Sequence, residues 1–413
     1  MPDHVSERRA AGPRRVETRS RRWTRPGSLV MAVALLAACA SVPQRATYDE
    51  TQQAVATIDG FDDIRFYADD DGSAFRNRMI ERVLAEVAAK GPDVLKRGSA
   101  EWLMISGGGE DGAFGAGLLV GLTDAGQRPQ YELVSGVSTG ALMAPFAFLG
   151  PHYDEQLRRI FTDIGKESVF KFAGLPSLVG GAAAMDTTPL RRTIDAQLTD
   201  RMLDEIAAAH RNGRRLYIVT TNLDAQRPVV WDMGKIAATP SPRRRALFLD
   251  VLLASASIPG LFPPVFIKAE ANGVTIEEMH VDGGTTMQVL TLPTTISPGT
   301  ARRPSVDRRK RTLYMLMNNS MQPRFDATRS RTFAIAGRSL STIIKAHGVQ
   351  SIQIMYDLAR KHGAAFNVAY IESDFTKKLP APFDEAYMEA LFDYGYRRAL
   401  EGRAWRDAPP GTH

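Results

Sequence analysis

Ser138 lies in Gly136-Val137-Ser138-Thr139-Gly140, where an apolar run over Tyr131 to Ser135 gives way to a helical pattern. A strand that passes through such a pentapeptide into a helix must turn sharply. Glycines two residues either side of the serine leave room for that turn. The turn strains the serine backbone and pushes its hydroxyl outward, and the helix start adds positive dipole density nearby. This context restricts the chain to folds in which strands feed helices. Taken alone, the string also reads as an ordinary turn of small residues.

The rest of the chain repeats the strand–turn–helix pattern. Trp102 to Ile105 is a short apolar run ending in Ser106-Gly107-Gly108-Gly109, with a helix pattern from about Ala113 to Asp124. Leu216 to Thr220, Leu313 to Met317 and Ala365 to Ile371 read as further buried strands. Helical patterns cover 73–90, 153–163, 188–198, 200–210, 244–255 and 384–400, and Thr188-Pro189 is a good helix start. Such alternation predicts an α/β domain with a central, mostly parallel sheet flanked by helices.

Two more strings carry chemistry. Gly107-Gly108-Gly109-Glu110-Asp111-Gly112 follows a strand and opens a helix. Glycines let several N–H groups point at one spot, which is what an oxyanion hole needs. The string also fits a dinucleotide fingerprint. That reading fails because Glu110 and Asp111 would face a pyrophosphate, and no acidic residue ends a second strand at the required distance. No Walker loop is present in the sequence. The third string, Asp282-Gly283-Gly284, follows a short strand through His280 and Val281. It reads either as an Asp placed to reach Ser138 or as a plain Asp-Gly turn.

Together the glycine-rich loop, the serine elbow and the distant Asp-Gly-Gly resemble the patatin-like phospholipases. Ala254 to Val265 looks like that family's apolar, proline-containing segment before the aspartate. Thr221-Asn222-Leu223-Asp224 with Pro228-Val229-Val230 looks like its mid-domain strand and hairpin. The resemblance covers roughly residues 100–320, in the family's order. It implies a patatin-like hydrolase fold and a histidine-free dyad, with Ser138 as nucleophile and Asp282 as general base. Gly107, Gly108, Gly109 and Gly112 would form the oxyanion hole, Gly136 and Gly140 the elbow, and Gly283 and Gly284 the turn beside the aspartate. The expected activity is lipid acyl hydrolysis of the phospholipase A or lysophospholipase type, on a membrane lipid substrate. It needs no cofactor, and no cluster of residues has metal spacing. Two departures stand out: Asp111 replaces the family's usual Arg or Lys, and Gly284 its more usual Ala.

Charge and cysteine place the chain in the cell. Residues 1–38 carry eight arginines against Asp3, Glu7 and Glu17, leaving 44 basic and 43 acidic residues in the remainder. The net charge of +6 therefore belongs mainly to a leader, and nothing points to nucleic acid. Cys39, the sole cysteine, follows an apolar run from Leu29 to Ala38 that suits a signal-peptide core and is too short to span a bilayer. Leu36-Ala37-Ala38-Cys39 resembles the lipobox of bacterial lipoproteins, which implies lipidation at Cys39. The following Ala40, in place of Asp, implies delivery to the outer membrane, facing the periplasm.

The expected organisation is a signal peptide over 1–38, a tether and N-terminal extension over 39–98, a catalytic domain over 99–400 and a tail over 401–413. Two stretches read as loops, 170–186 and 294–311. The first carries Phe170, Phe172, Leu175, Leu178 and Val179 beside Gly180 and Gly181, and is expected to border the substrate entrance. The main rival is an α/β-hydrolase with a Ser-His-Asp triad, for which His347 or His362 could serve; His280 is read as a packing residue. A non-catalytic lipid-binding lipoprotein is the other alternative.

Overall fold

The computed structural model describes residue 45 and residues 48–411, apart from 97, 164, 173–182, 184, 292–308, 324, 326 and 329. The lipobox at Cys39, the glycines and leucines of the 170–186 loop and most of 294–311 lie outside the described residues.

Nine described strands join in one mixed sheet. They are β1 (Arg65–Tyr67), β2 (Ser99–Ile105), β3 (Leu133–Val137), β4 (Arg215–Asn222), β5 (Arg227–Asp232), β6 (Val265–Ala271), β7 (Val274–Asp282), β8 (Lys310–Ser320) and β9 (Ala365–Ile371). The order is β1-β5-β4-β3-β2-β8-β9. From β4 to β9 every pair is parallel. β5 and β1 extend the sheet antiparallel beyond β4, and the β6–β7 hairpin pairs through β7 with the end of β4. The expected α/β fold with a mostly parallel central sheet is thus present.

The main helices are α1 (Ser73–Lys90), α2 (Gly112–Asp124), α3 (Thr139–Leu149), α4 (Asp154–Thr162), α5 (Thr188–Gln197), α6 (Asp200–Arg211), α7 (Arg244–Ser255), α8 (Thr332–His362) and α9 (Glu385–Leu400). They cover both faces of the sheet. Leu103, Ile105, Leu216 and Ile218 pack into one core, and Trp102, Met104, Tyr217 and Val219 into the other. A strand buried on both faces must read as a continuous apolar run, which is why these strands were visible in the sequence. On the first face α2 and α9 pack very closely: a Cβ on Gly117 would lie 2.0 Å from the Phe392 carbonyl oxygen.

The segment before β2 is built into this frame. β1 pairs with β5. From α1, Arg82 bridges Glu86 and Glu132 at 3.0 Å each, and Arg309 at the foot of β8 bridges Glu86 at 3.0 Å. These charges are buried and mutually paired, so removing one would strand the others in a low-dielectric setting.

Candidate active site

The elbow forms as the glycine spacing requires. Ser138 has φ 56° and ψ −125°, a left-handed strain in a non-glycine residue. A Cβ on Gly136 would lie 2.2 Å from the Gly140 oxygen, and one on Gly140 would lie 2.6 Å from the carbonyl oxygens of Ile105 and Ser106. Neither position admits a side chain. The Ser138 N–H donates to Ser255 Oγ at 3.0 Å, and Ser255 Oγ donates to the Val219 carbonyl at 2.7 Å. Ser255, at the end of α7, therefore ties the elbow to β4.

Asp282 arrives from the other direction. β7 runs antiparallel to β4 and pairs Asp282 with Thr220. The Asp282 N–H donates to the Ser257 carbonyl at 2.8 Å, and Thr221 Oγ1 donates to the Asp282 carbonyl at 3.0 Å. Its carboxylate accepts from the Gly284 N–H at 2.7 Å, and the Ser138 side chain lies near enough to favour its charged form. Burial pushes the carboxyl up to about 7, against the smaller opposing pull of Ser138 and of the Gly284 N–H. Gly283 fills the seam between the two residues: a Cβ there would lie 2.4 Å from the Val219 oxygen and 3.1 Å from Val137 Cγ1.

The glycine-rich loop lies against the serine, since a Cβ on Gly107 would approach Ser138 Cβ to 3.0 Å. Its four glycines are not equivalent. The Gly107 N–H already donates to the Gln288 carbonyl at 3.2 Å, and the Gly112 N–H turns back to Gly109 and Glu110 carbonyls. Among the described residues no acceptor takes the N–H of Gly108 or Gly109. Gly109, at φ 58°, shares a cavity wall with Ser138. Residues the sequence did not flag hold this loop. Asn318 Nδ2 donates to the Ser106 carbonyl at 3.0 Å, its N–H donates to Ser106 Oγ at 2.9 Å, and Asn319 Nδ2 donates to the Gly107 carbonyl at 2.9 Å. Asp111 accepts from the Tyr387 hydroxyl at 2.7 Å, so it ties the loop to α9.

Ser138 opens on a cavity between α3, α4, α5 and α7. Its wall is almost wholly apolar, including Leu142, Phe146, Phe161, Leu190, Ile194 and Phe262. No histidine lines it among the described residues. His280 is fully buried, with Nδ1 2.9 Å from Thr220 Oγ1 and Nε2 3.1 Å from Glu278, so both ring nitrogens are engaged away from Ser138. His347 and His362 lie on α8, across the sheet from the cavity helices.

The site thus combines a serine elbow at the end of a parallel strand, a buried carboxyl next to it and an apolar cavity that the serine lines. Residues 103–294 match the sequence model of the family described as Patatin-like phospholipase, which places this part of the chain in that family. Among solved structures the chain is similar to VipD from Legionella pneumophila, at 12% identity and TM-score 0.38, over 74% of this chain and 67% of that one. It is similar to the human GIVD cytosolic phospholipase A2, at 11% identity and TM-score 0.30, over 78% and 55% of the two chains. A third likeness is to the type III effector protein ExoU, at 13% identity and TM-score 0.26, over 74% and 53%. This chain thus spans about half the length of the last two. No curated protein matches it in sequence. The family match supports lipid hydrolase activity.

Proposed function

We propose that the protein is a serine-dependent lipid acyl hydrolase of the phospholipase A or lysophospholipase type. The reading is carried by the strained Ser138 standing next to a buried carboxyl, Asp282, along one edge of β4 and opening on an apolar cavity. Ser138 Oγ attacks the ester carbonyl carbon while Asp282 takes the hydroxyl proton. A carboxyl lifted to about 7 is a far better base than an ordinary aspartate, yet is substantially ionised at neutral pH. The Gly108 and Gly109 N–H groups hold the oxyanion. Collapse expels the alcohol, which takes the proton back from Asp282, and leaves an acyl-enzyme on Ser138. Water, deprotonated by Asp282, then releases the fatty acid. The acyl chain occupies the apolar cavity, and burying it there offsets the cost of withdrawing the chain from a bilayer.

The chain is organised as a signal peptide over 1–38, an extension over 39–98, a catalytic domain over 99–400 and a short tail. It is held by lipid at Cys39 on the periplasmic face of the outer membrane. Leu29 to Ala38 and the single cysteine support this. Among the described residues no helix is long and apolar enough to cross a membrane. Cys39→Ser should leave a folded protein that a salt wash releases from membranes; persistent membrane fractionation would place the anchor elsewhere.

Incubation of the purified protein with vesicles of mixed phospholipids, followed by analysis of lipid products, tests the activity. Free fatty acid with matching lysophospholipid or deacylated headgroup is expected. Headgroup cleavage without fatty-acid release would refute it.

A further inference from the structure

Gln288 carries an amide side chain yet is only 4% exposed. A buried amide is destabilising unless its polar atoms find partners. Gln288 Nε2 donates to the Gly284 carbonyl at 2.6 Å. The Gln288 carbonyl in turn accepts from the Gly107 N–H at 3.2 Å. One residue therefore joins the turn beside Asp282 to the glycine-rich loop, although neither the proton transfer nor the oxyanion contact uses its amide.

Both contacts act on reacting groups at one remove. The Gly284 N–H donates to the Asp282 carboxylate at 2.7 Å. Gln288 holds the carbonyl of that same residue, so Gly284 is fixed on both sides. Glycine has wide backbone freedom, and with its carbonyl released Gly284 could swing its N–H off the carboxylate. In the loop, Gly107 lies against Ser138 and precedes Gly108, whose N–H has no acceptor among the described residues. A shift of Gly107 would carry that donor with it.

The glycine at 284 is itself explained by this contact. Its φ lies outside the left-handed region, so the backbone angle does not require a glycine. Space does: a Cβ there would lie 3.0 Å from Gln288 Nε2 and 3.0 Å from Asp282 Oδ1. A side chain would press the amide off the carbonyl or the carboxylate off its N–H. A buried amide and a missing side chain thus converge on the bond between Gln288 and Gly284.

We propose that Gln288 is a positioning residue that fixes the general base relative to the oxyanion donors, its side chain holding Gly284 against Asp282 and its carbonyl holding Gly107 beside Ser138. This deepens the hydrolase reading and rests on it, with Asp282 as the base.

The test uses the full chain and a soluble short-chain ester. Gln288→Met removes the amide at nearly constant volume. The kcat should fall about tenfold with KM little changed. Burial, Ser138 and the Gly284 N–H act on the Asp282 carboxyl, and the N–H favours its charged form. Loosening Gly284 should therefore move the inflection of kcat/KM to higher pH than in the parent, which lost packing alone would not do. Gly284→Ala should lower kcat by itself, and by a smaller factor in the Gln288→Ala chain, where the space is open. Hydrogen exchange reads the contact without catalysis: in Gln288→Met, peptides covering 106–112 and 282–288 should exchange about tenfold faster, with the rest of the chain unchanged. A fall in kcat with the inflection unmoved, independent effects of the two alanine substitutions, or unchanged exchange in both segments would each overturn the proposal. A parent that hydrolyses no ester, with the faster exchange still seen, would refute the hydrolase reading and leave Gln288 as the tie between the two segments.

Discussion

Ser138 and Asp282 meet along the same edge of β4: Val137, just before the serine, pairs with Val219, and Asp282 pairs with the next residue, Thr220. β3 ends where β7 takes over that edge, so two segments far apart in sequence meet end to end across a single strand. β4 fixes their separation through backbone hydrogen bonds, which are harder to displace than side-chain contacts.

Ser255 closes this arrangement by taking the Ser138 N–H and giving its own proton to the Val219 carbonyl. Ser255→Ala leaves two buried backbone groups without partners, at a cost of about 1–3 kcal/mol. Hydrolysis should fall about tenfold or more as the elbow loosens, with substrate binding little changed. Denaturant unfolding and steady-state kinetics measure the two effects. An unchanged kcat would show that the bridge does not position the serine.

The raised Asp282 carboxyl makes pH the natural probe. Ionised Asp282 is the reactive form, so kcat/KM should rise with pH and level off above about 7. Stability moves the other way. A carboxyl raised in the fold contributes fully below its unfolded value of 3.8, and the contribution is lost as pH rises through about 7. Asp282→Asn removes the ionisation, so its Tm should exceed the parent's by a margin that grows from pH 4 to 7 and then stays level. A margin independent of pH would contradict the raised value.

Much of this site was legible in the sequence because its signals are local. Gly136 and Gly140 flank one turn, and the glycine-rich loop sits at one strand end, so spacing alone exposed them. Strand β9 was read with its final limits, Ala365 to Ile371, because a largely buried strand reads as an apolar run, interrupted here only by Asn367. Ser255, Asn318 and Asn319 were not legible. Ser255 lies in the marked Ala254–Val265 segment, but its bond to the Ser138 N–H depends on how α7 meets β4, and Asn318 and Asn319 reach the loop only through the register of β8. The division among the loop glycines was hidden for the same reason, since it depends on which carbonyls, such as that of Gln288, come within reach. Helix α8 was not among the helices read from the sequence; before Gly348 none of its described side chains is buried, so that half shows little core-facing period.

The cavity sets an acyl-length prediction. Leu190 on α5 is buried in its wall. Leu190→Trp fills space that a long chain needs, while a short acyl group requires only the part nearest Ser138. The rate on long-chain esters should drop about tenfold with short-chain esters little affected, and some stability is lost to overpacking. An equal loss on both would place the acyl chain elsewhere.

The central claim is that Ser138 and Asp282 work as a pair without histidine. The most direct measurement is the rate of covalent labelling by a fluorophosphonate probe, with intact mass locating the adduct. The account predicts a single adduct on Ser138 in the parent and none in Ser138→Ala. In Asp282→Asn it predicts labelling slowed by about a thousandfold or more. His280→Gln, His347→Gln and His362→Gln, made one at a time, should label at close to the parent rate. Labelling that survives Ser138→Ala, or that collapses in a folded histidine variant while Asp282→Asn remains reactive, would contradict the account.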